Sequence, residues 1–227
     1  MCSKSLLLKT LLVWYVGFSM VMAIAPDDRQ FWAVASVLPA LLVVCLVITH
    51  RVIPLSIASY VLIMVYLTLH TIGVHYTYAK VPAGLWLGQL FDLNRNHFDR
   101  IVHFSFGLLL TYPLEELFRV LAGIRGWMLY YLPVITILGL SGLWEIIESW
   151  AARVARPDLG LTVLGSQGDI WDPQKDMTAA FYGSILSVLV LIFVRRVALR
   201  MSASSKDESA FGAMEVLIEE ESVQQPS

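Results

Sequence analysis

The stretch MTAAFYGSILSVLVLIFV, residues 177–194, carries no charged side chain and is closed by Arg195 and Arg196. A run of this length and polarity matches the roughly 20 apolar residues that an α-helix needs to cross the hydrocarbon core of a bilayer. Five more blocks of similar character precede it. Together, residues 6–25, 31–49, 52–73, 101–121, 127–147 and 177–197 predict an all-α, polytopic membrane helix bundle with six transmembrane helices, filling residues 1–200. Six spans use over half the chain, so no room is left for a separate soluble domain or a nucleotide-binding fold.

Composition agrees. The 227 residues are 57% hydrophobic and only 15% charged, with a mean hydropathy of +0.69, whereas soluble domains carry about 25% charged residues. A net charge of −2 and a pI near 6.2 give no basic surface for nucleic acid. Cys2 and Cys45 form neither a disulfide framework nor a zinc-finger spacing. Ala23-Ile24-Ala25 resembles a signal-peptidase site. The apolar run before it is longer than the roughly 7–15 residues of a signal core, and Pro26 follows it directly, so a retained helix is expected.

Basic residues set the expected orientation, because short cytoplasmic loops are enriched in them. Lys4, Lys9, His50-Arg51, Arg119, Arg125, Arg195, Arg196 and Arg200 fall on one side if both termini are cytoplasmic. The long connections 74–100 and 148–176 then face the periplasm. Trp86, Trp127, Trp150 and Trp171 lie near span ends, where amphipathic rings prefer the headgroup level. Residues 201–227 turn Ser- and Glu-rich and read as a disordered cytoplasmic tail.

The informative polar residues gather at the ends of the third to sixth spans that this topology places together. His75 ends the third span. His97, Asp99, Arg100 and His103 open the fourth, Glu145 and Glu148 close the fifth, and Asp169, Asp172, Lys175 and Asp176 open the sixth. Asp99 and His103 are four apart and Glu145 and Glu148 three apart, so each pair shares a helix face. Mixed imidazole and carboxylate ligands suit zinc, manganese or iron, and carboxylates alone suit magnesium. His75, His97, Asp99, His103, Asp169, Asp172 and Asp176 are therefore candidate ligands of a divalent metal. Glu148 is the candidate general base, and Glu145, lying deeper, a candidate catalytic ligand or orienter. Arg100 and Lys175 are candidate anchors for a substrate phosphate.

Plainer roles stand beside these. Asp172-Pro173 fits an N-cap with proline at the first helical position. Asp169 and Asp176 suit the positive end of a helix. Glu115 lies one turn from Arg119. Glu145 fits such an account least, since an ionisable group inside an apolar run is costly and faces a bundle interior or a polar cavity. Its structural alternative is an arginine of the 148–176 loop.

The ordered set His70-x4-His75-Tyr76-Thr77-Tyr78, Asn96-His97-Phe98-Asp99-Arg100-x2-His103-Phe104, Trp144-Glu145-x2-Glu148 and Gly168-Asp169-x-Trp171-Asp172-x-Gln174-Lys175-Asp176-Met177 resembles the bacterial YjdF inner-membrane protein family. The resemblance covers about residues 10–200. It implies a bacterial inner-membrane location and several spanning helices, and it brings no reaction. A Glu-bearing helix followed by an Asp-bearing loop and helix is also similar to VanZ-like membrane proteins, a pattern that carries no function by itself.

The expected function is metal-dependent hydrolase or transferase chemistry, at the periplasmic face, on a lipid or lipid-linked phosphate. Two other readings compete. An ion- or proton-coupled transporter would use the same carboxylates, although its site belongs near the midplane between broken helices. A non-catalytic accessory protein would leave these side chains scattered. The lipid bilayer is the expected partner in every case, and the oligomeric state is not set by any residue pattern.

Overall fold

Pro54 removes a backbone donor just where the third apolar block begins, and Ser56 then caps a helix by accepting from the Ser59 N–H. Local effects of this kind set the boundaries throughout. A computed structural model describes residues 4–155 and 166–223, with side chains for 4–150 and 167–202. Its helices are α1 (Lys4–Met22), α2 (Arg29–Ala35), α3 (Val37–Thr49), α4 (Ile57–His75), α5 (Pro82–Leu90), α6 (Phe98–Ala122), α7 (Met128–Ala155) and α8 (Asp172–Val223), with a 3-10 turn at Ser166–Gly168. No strand occurs among the described residues.

Five segments are long and apolar enough to cross a membrane: Lys4–Met22, Arg29–Thr49, Ile57–His75, Met128–Trp150 and Asp172–Ser202. The sixth crossing is α6, whose 25 residues reach about 37 Å. It packs against α4 and α7 and carries its charges near its two ends, Asp99 and Arg100 at one and Glu115, Glu116 and Arg119 at the other. The six-span bundle therefore stands.

Several boundaries move. The second span is two helices, because Ser36 interrupts it. The third starts at Ile57 rather than 52, behind the Ser56 cap. The sixth starts at Asp172 rather than 177, so the Asp172–Asp176 run is helical instead of loop. The long 74–100 connection holds the extra helix α5. The chain divides into two units, Met1–Val188 and Leu189–Ser227. All the packing below lies in the first. In the second, where a disordered tail is expected, the backbone of α8 continues as far as Val223, and side chains beyond 202 lie outside the described residues.

Exposed apolar side chains such as Val13, Met20, Ile48 and Tyr182 would be untenable over so large a surface in water. Around a spanning bundle they form the lipid-facing side. Inside, Tyr15, Ile63, Leu67, Leu110, Ile137 and Ala180 make one core cluster. Ala35, Val74, Tyr78, Val81, Phe98 and Val102 make a second.

The tightest contact joins α6 and α8. A Cβ added at Gly107 would collide with the Ala180 carbonyl oxygen, and one at Gly183 with the Phe104 carbonyl oxygen. Small residues let membrane helices approach backbone to backbone. Thr111 and Ser184 share a hydrogen bond of 2.7 Å in the same interface, and both are fully buried. At the opposite end from the polar cluster, Glu116 accepts from the Ser56 N–H at 2.9 Å and the Ser59 hydroxyl at 2.5 Å. Lys4 donates to the Leu55 carbonyl at 2.7 Å there.

Gly107→Val should therefore destabilise the protein by about 3 kcal/mol or more through overpacking. Gly139→Ala, with open space around its Cβ, should stay within about 0.5 kcal/mol of wild type. Unfolding of the detergent-purified variants checks both.

Candidate functional site

Arg95 and Gln167, neither of them singled out by motif spacing, organise the polar end of the bundle. Gln167 holds a left-handed backbone at φ 63°, a conformation that persists only where its surroundings require it. Here its side chain accepts from the Asn96 N–H at 2.8 Å and donates to the Asn96 carbonyl at 2.9 Å. The Asn96 side chain in turn donates to the Ala79 and Val81 carbonyls, both at 3.0 Å, and accepts from the Phe98 N–H. This clasp ties the entrance of α6 to the segment that leads into α8.

The acidic start of α8 then meets two arginines. Arg95 grips Asp172 with both terminal nitrogens, at 2.6 and 3.1 Å. Arg100 reaches Asp172 at 2.6 Å and Asp169 at 3.0 Å. Asp169 also accepts from Lys175 at 2.6 Å and from the Trp171 N–H at 3.1 Å. The Lys175 ammonium, followed by Arg100, holds the Asp169 carboxyl below the usual carboxylate range. Asp172, expected as an N-cap, is instead the first residue of α8, with both carboxylate oxygens engaged by arginine. The candidate anchors Arg100 and Lys175 are thus already paired with carboxylates.

A second group lies deeper between α6, α7 and α8. Ligand-type atoms of Asp99, His103 and Asp176 all lie within 4.8 Å of one another. His103 Nε2 is 3.4 Å from Glu145 Oε1 and 3.7 Å from Asp99 Oδ1. These separations exceed a good N–H···O hydrogen bond. They suit ligands about 2.0–2.2 Å from a shared ion. Asp176 Oδ1 and Glu145 Oε1 are buried with no hydrogen-bond partner; Asp176, only 2% exposed, has the Arg100 Nε at 3.4 Å, an ion pair without a hydrogen bond. On its far side, His103 Nδ1 lies 3.4 Å from the Ser141 hydroxyl. A proton held there on Nδ1 leaves the Nε2 lone pair facing the carboxylates, the usual arrangement of a ligating imidazole.

Glu148 sits in the electrostatic field of Asp99, Asp176 and Asp172. Six carboxylates (Asp99, Glu145, Glu148, Asp169, Asp172 and Asp176) thus face three permanent cations (Arg95, Arg100 and Lys175) among the described residues. Carboxylates this crowded require protons or a cation between them. The arginine partner considered for Glu145, from Arg153 or Arg156, lies outside the described side chains.

His75 stands apart from this group, and His97 lies at its edge beside the cations. His75 Nδ1 donates to the Met22 carbonyl at 2.8 Å and joins the end of α4 to the end of α1, so it is not brought to the cluster. His97 precedes α6 without a side-chain cap bond. Burial, then the Arg95 and Arg100 charges, lower its pKa and keep the ring neutral.

The buried lattice should carry more stability than exposed pairs do. Asp172→Asn strips one side of a buried ion pair and should cost about 3–5 kcal/mol. Lys80→Ala removes an exposed pair with Asp27 and should cost less than about 1 kcal/mol. Thermal unfolding in one detergent separates the two.

Comparison with known proteins places the whole bundle. A family model described as "Predicted membrane protein (DUF2238)" matches residues 7–197. The chain is 35% identical over 191 residues to "Inner membrane protein YjdF" of Escherichia coli (strain K12), an alignment covering 83% of this chain and 88% of that protein. No solved structure matches the chain. The chain belongs to the DUF2238 membrane protein family and is a multi-pass protein of the bacterial inner membrane.

Proposed function

We propose that the protein is a metal-dependent membrane enzyme, a hydrolase or transferase acting on a lipid or lipid-linked phosphate. One observation carries the reading: Asp99, His103 and Asp176 converge with Glu145 beside them, and two of their buried carboxylate oxygens lack a hydrogen-bond donor. Zinc, manganese or iron suits this mixed donor set, and magnesium suits it less because of the imidazole. A divalent ion there would polarise a phosphoryl oxygen and supply hydroxide near neutral pH. Glu148 is the proposed general base. Arg100 and Lys175 would contact a substrate phosphate only by sharing themselves with Asp169 and Asp172.

The location of the cluster supports a lipid substrate. Trp86 and Trp171, more than half exposed, flank the same end of the bundle and suit the headgroup level. The reading of the cluster as a transport site is less well supported. Leu67, Leu110, Ile137 and Ala180 pack tightly between this end and Glu116, and backbone touches backbone at Gly107. The one interrupted span among the described residues breaks at Ser36 and brings no carboxylate to the bundle midplane, where a transport site would belong.

We further propose that the cluster faces the periplasm and both termini the cytoplasm. Lys4, Arg51 and Arg119 share the opposite end of the bundle, with Lys4 on Leu55 and Arg119 beside the Ser56-binding Glu116. That basic end suits the cytoplasmic side.

Detergent-purified wild type should carry about one zinc or manganese ion per chain by elemental mass spectrometry. His103→Ala and Asp176→Asn should lose at least tenfold while remaining folded. Wild type that stays metal-free after incubation with both ions overturns the proposal. Separately, alkaline phosphatase fused after Arg200 should be inactive, and high activity would place the cluster in the cytoplasm.

A further inference from the structure

A cavity of about 260 Å³ lies between α3, α4, α6 and α7, lined by Leu42, Tyr66, Phe106, Leu140, Leu143 and Trp144 among others. These positions lie well inside the spans, so the cavity sits at hydrocarbon depth. Leu38, Leu140 and Leu143 line it and are also 43%, 44% and 50% exposed on the outer surface. The cavity therefore communicates sideways with the lipid, where hydrocarbon is the surrounding medium.

Besides the aromatic Tyr66 and Trp144, its wall holds two polar residues, His70 and Ser141, whose hydrogen-bonding groups are committed elsewhere. His70 Nε2 donates to the Ala35 carbonyl at 3.3 Å, and its Nδ1 accepts from the Tyr78 hydroxyl at 2.8 Å. Burial raises the Tyr78 pKa well above its ordinary value, so the phenol remains a donor. Ser141 contacts His103 Nδ1. Neither residue is left seeking a polar ligand, and a wall of this kind favours a hydrocarbon occupant.

The inner end of the cavity adjoins the acidic cluster. Ser141 touches both the cavity and His103. Trp144 precedes Glu145 directly and stands one helical turn before Glu148. Tyr66 lies in the field of Asp99 and Glu148. The apolar cavity thus borders the charged cluster through Ser141 and Trp144 and opens sideways toward the bilayer.

We propose that this cavity holds one acyl chain of a bilayer glycerophospholipid, with its phosphate end directed to the Asp99–His103–Asp176 cluster. This deepens the enzyme reading and rests on it for the role of the phosphate end. It narrows the substrate class to a phospholipid that enters sideways from the membrane. Occupancy by the chain itself follows from the cavity wall and does not depend on a metal.

The test uses full-length protein in vesicles of phosphatidylethanolamine and phosphatidylglycerol, with a trace of phosphatidylglycerol bearing a diazirine on one acyl chain. After illumination, peptide mass spectrometry should find adducts on Tyr66, Phe106 and Leu140 at least fivefold above those on Val13 of the lipid-exposed α1. Leu143→Trp, with Leu42→Trp as a second variant, should fill the cavity and remove that excess while leaving the Val13 signal unchanged. Cavity labelling no greater than that of Val13 overturns the proposal, as does an excess that survives both tryptophans. Loss of the excess on adding a polyprenyl phosphate at trace level also overturns it and assigns the cavity to an isoprenoid chain. Metal content measured on the same samples separates the two readings. Labelled but metal-free wild type retains the acyl-chain site and sinks the metal enzyme. Metal-loaded protein without the excess does the reverse.

Discussion

At Gly107 and Gly183 the backbones of α6 and α8 come into direct contact, and the polar end of the bundle depends on that crossing. One turn above Gly107 stands His103, and two turns above it Asp99. Roughly two turns before Gly183 stands Asp176, with Asp172 one turn earlier. Side chains as short as aspartate can meet across two helices only when the helix axes run close together. A methyl group at either glycine would push the axes apart and separate His103 from Asp176. The Thr111–Ser184 hydrogen bond adds direction to a contact that dispersion and close packing otherwise hold.

Charge in the membrane imposes the next layer. The carboxylates at the start of α8 fall into two sets with different environments. Asp169 and Asp172 are neutralised by Arg95, Arg100 and Lys175 in short hydrogen bonds. Removing ions from water is so costly that such a lattice serves mainly to make the buried arrangement tolerable and specific. Asp176 and Glu145 lie beyond the reach of good hydrogen bonds from those cations. The first set builds the mouth, and the second leaves buried carboxylate oxygens without a hydrogen-bond donor.

A proline far from the cluster shapes its apolar neighbour. Pro39 cannot supply the N–H that would bond the Ala35 carbonyl, so that carbonyl is open to His70. With Nε2 committed as donor, His70 Nδ1 must accept, and the Tyr78 hydroxyl provides the proton. The chain break at Ser36, the His70 tautomer and the folding of the 76–81 turn onto α4 are thus one connected consequence. The same step leaves Leu38, Pro39 and Leu42 as one wall of the cavity.

The sequence by itself determined the all-α class, the six crossings, and the arrival of helix ends three to six at one face. These follow from apolar run length and alternating direction, which are local properties. It also singled out Asp99, His103, Glu145 and Asp176, because spacing along one helix is regular and charge in an apolar run is conspicuous. Only the tertiary structure separated His75 from that group, since its partner, the Met22 carbonyl, is 53 residues away. Arg95 and Gln167 were equally hidden: a loop arginine and a loop glutamine gain meaning only when α8 docks beside α6. The division of the aspartates into a pair held by short arginine and lysine hydrogen bonds and one that meets Arg100 only at 3.4 Å was likewise a matter of tertiary structure. Charge compensation depends on distances of a few ångströms between separate helices, and those distances are set by how the backbones cross.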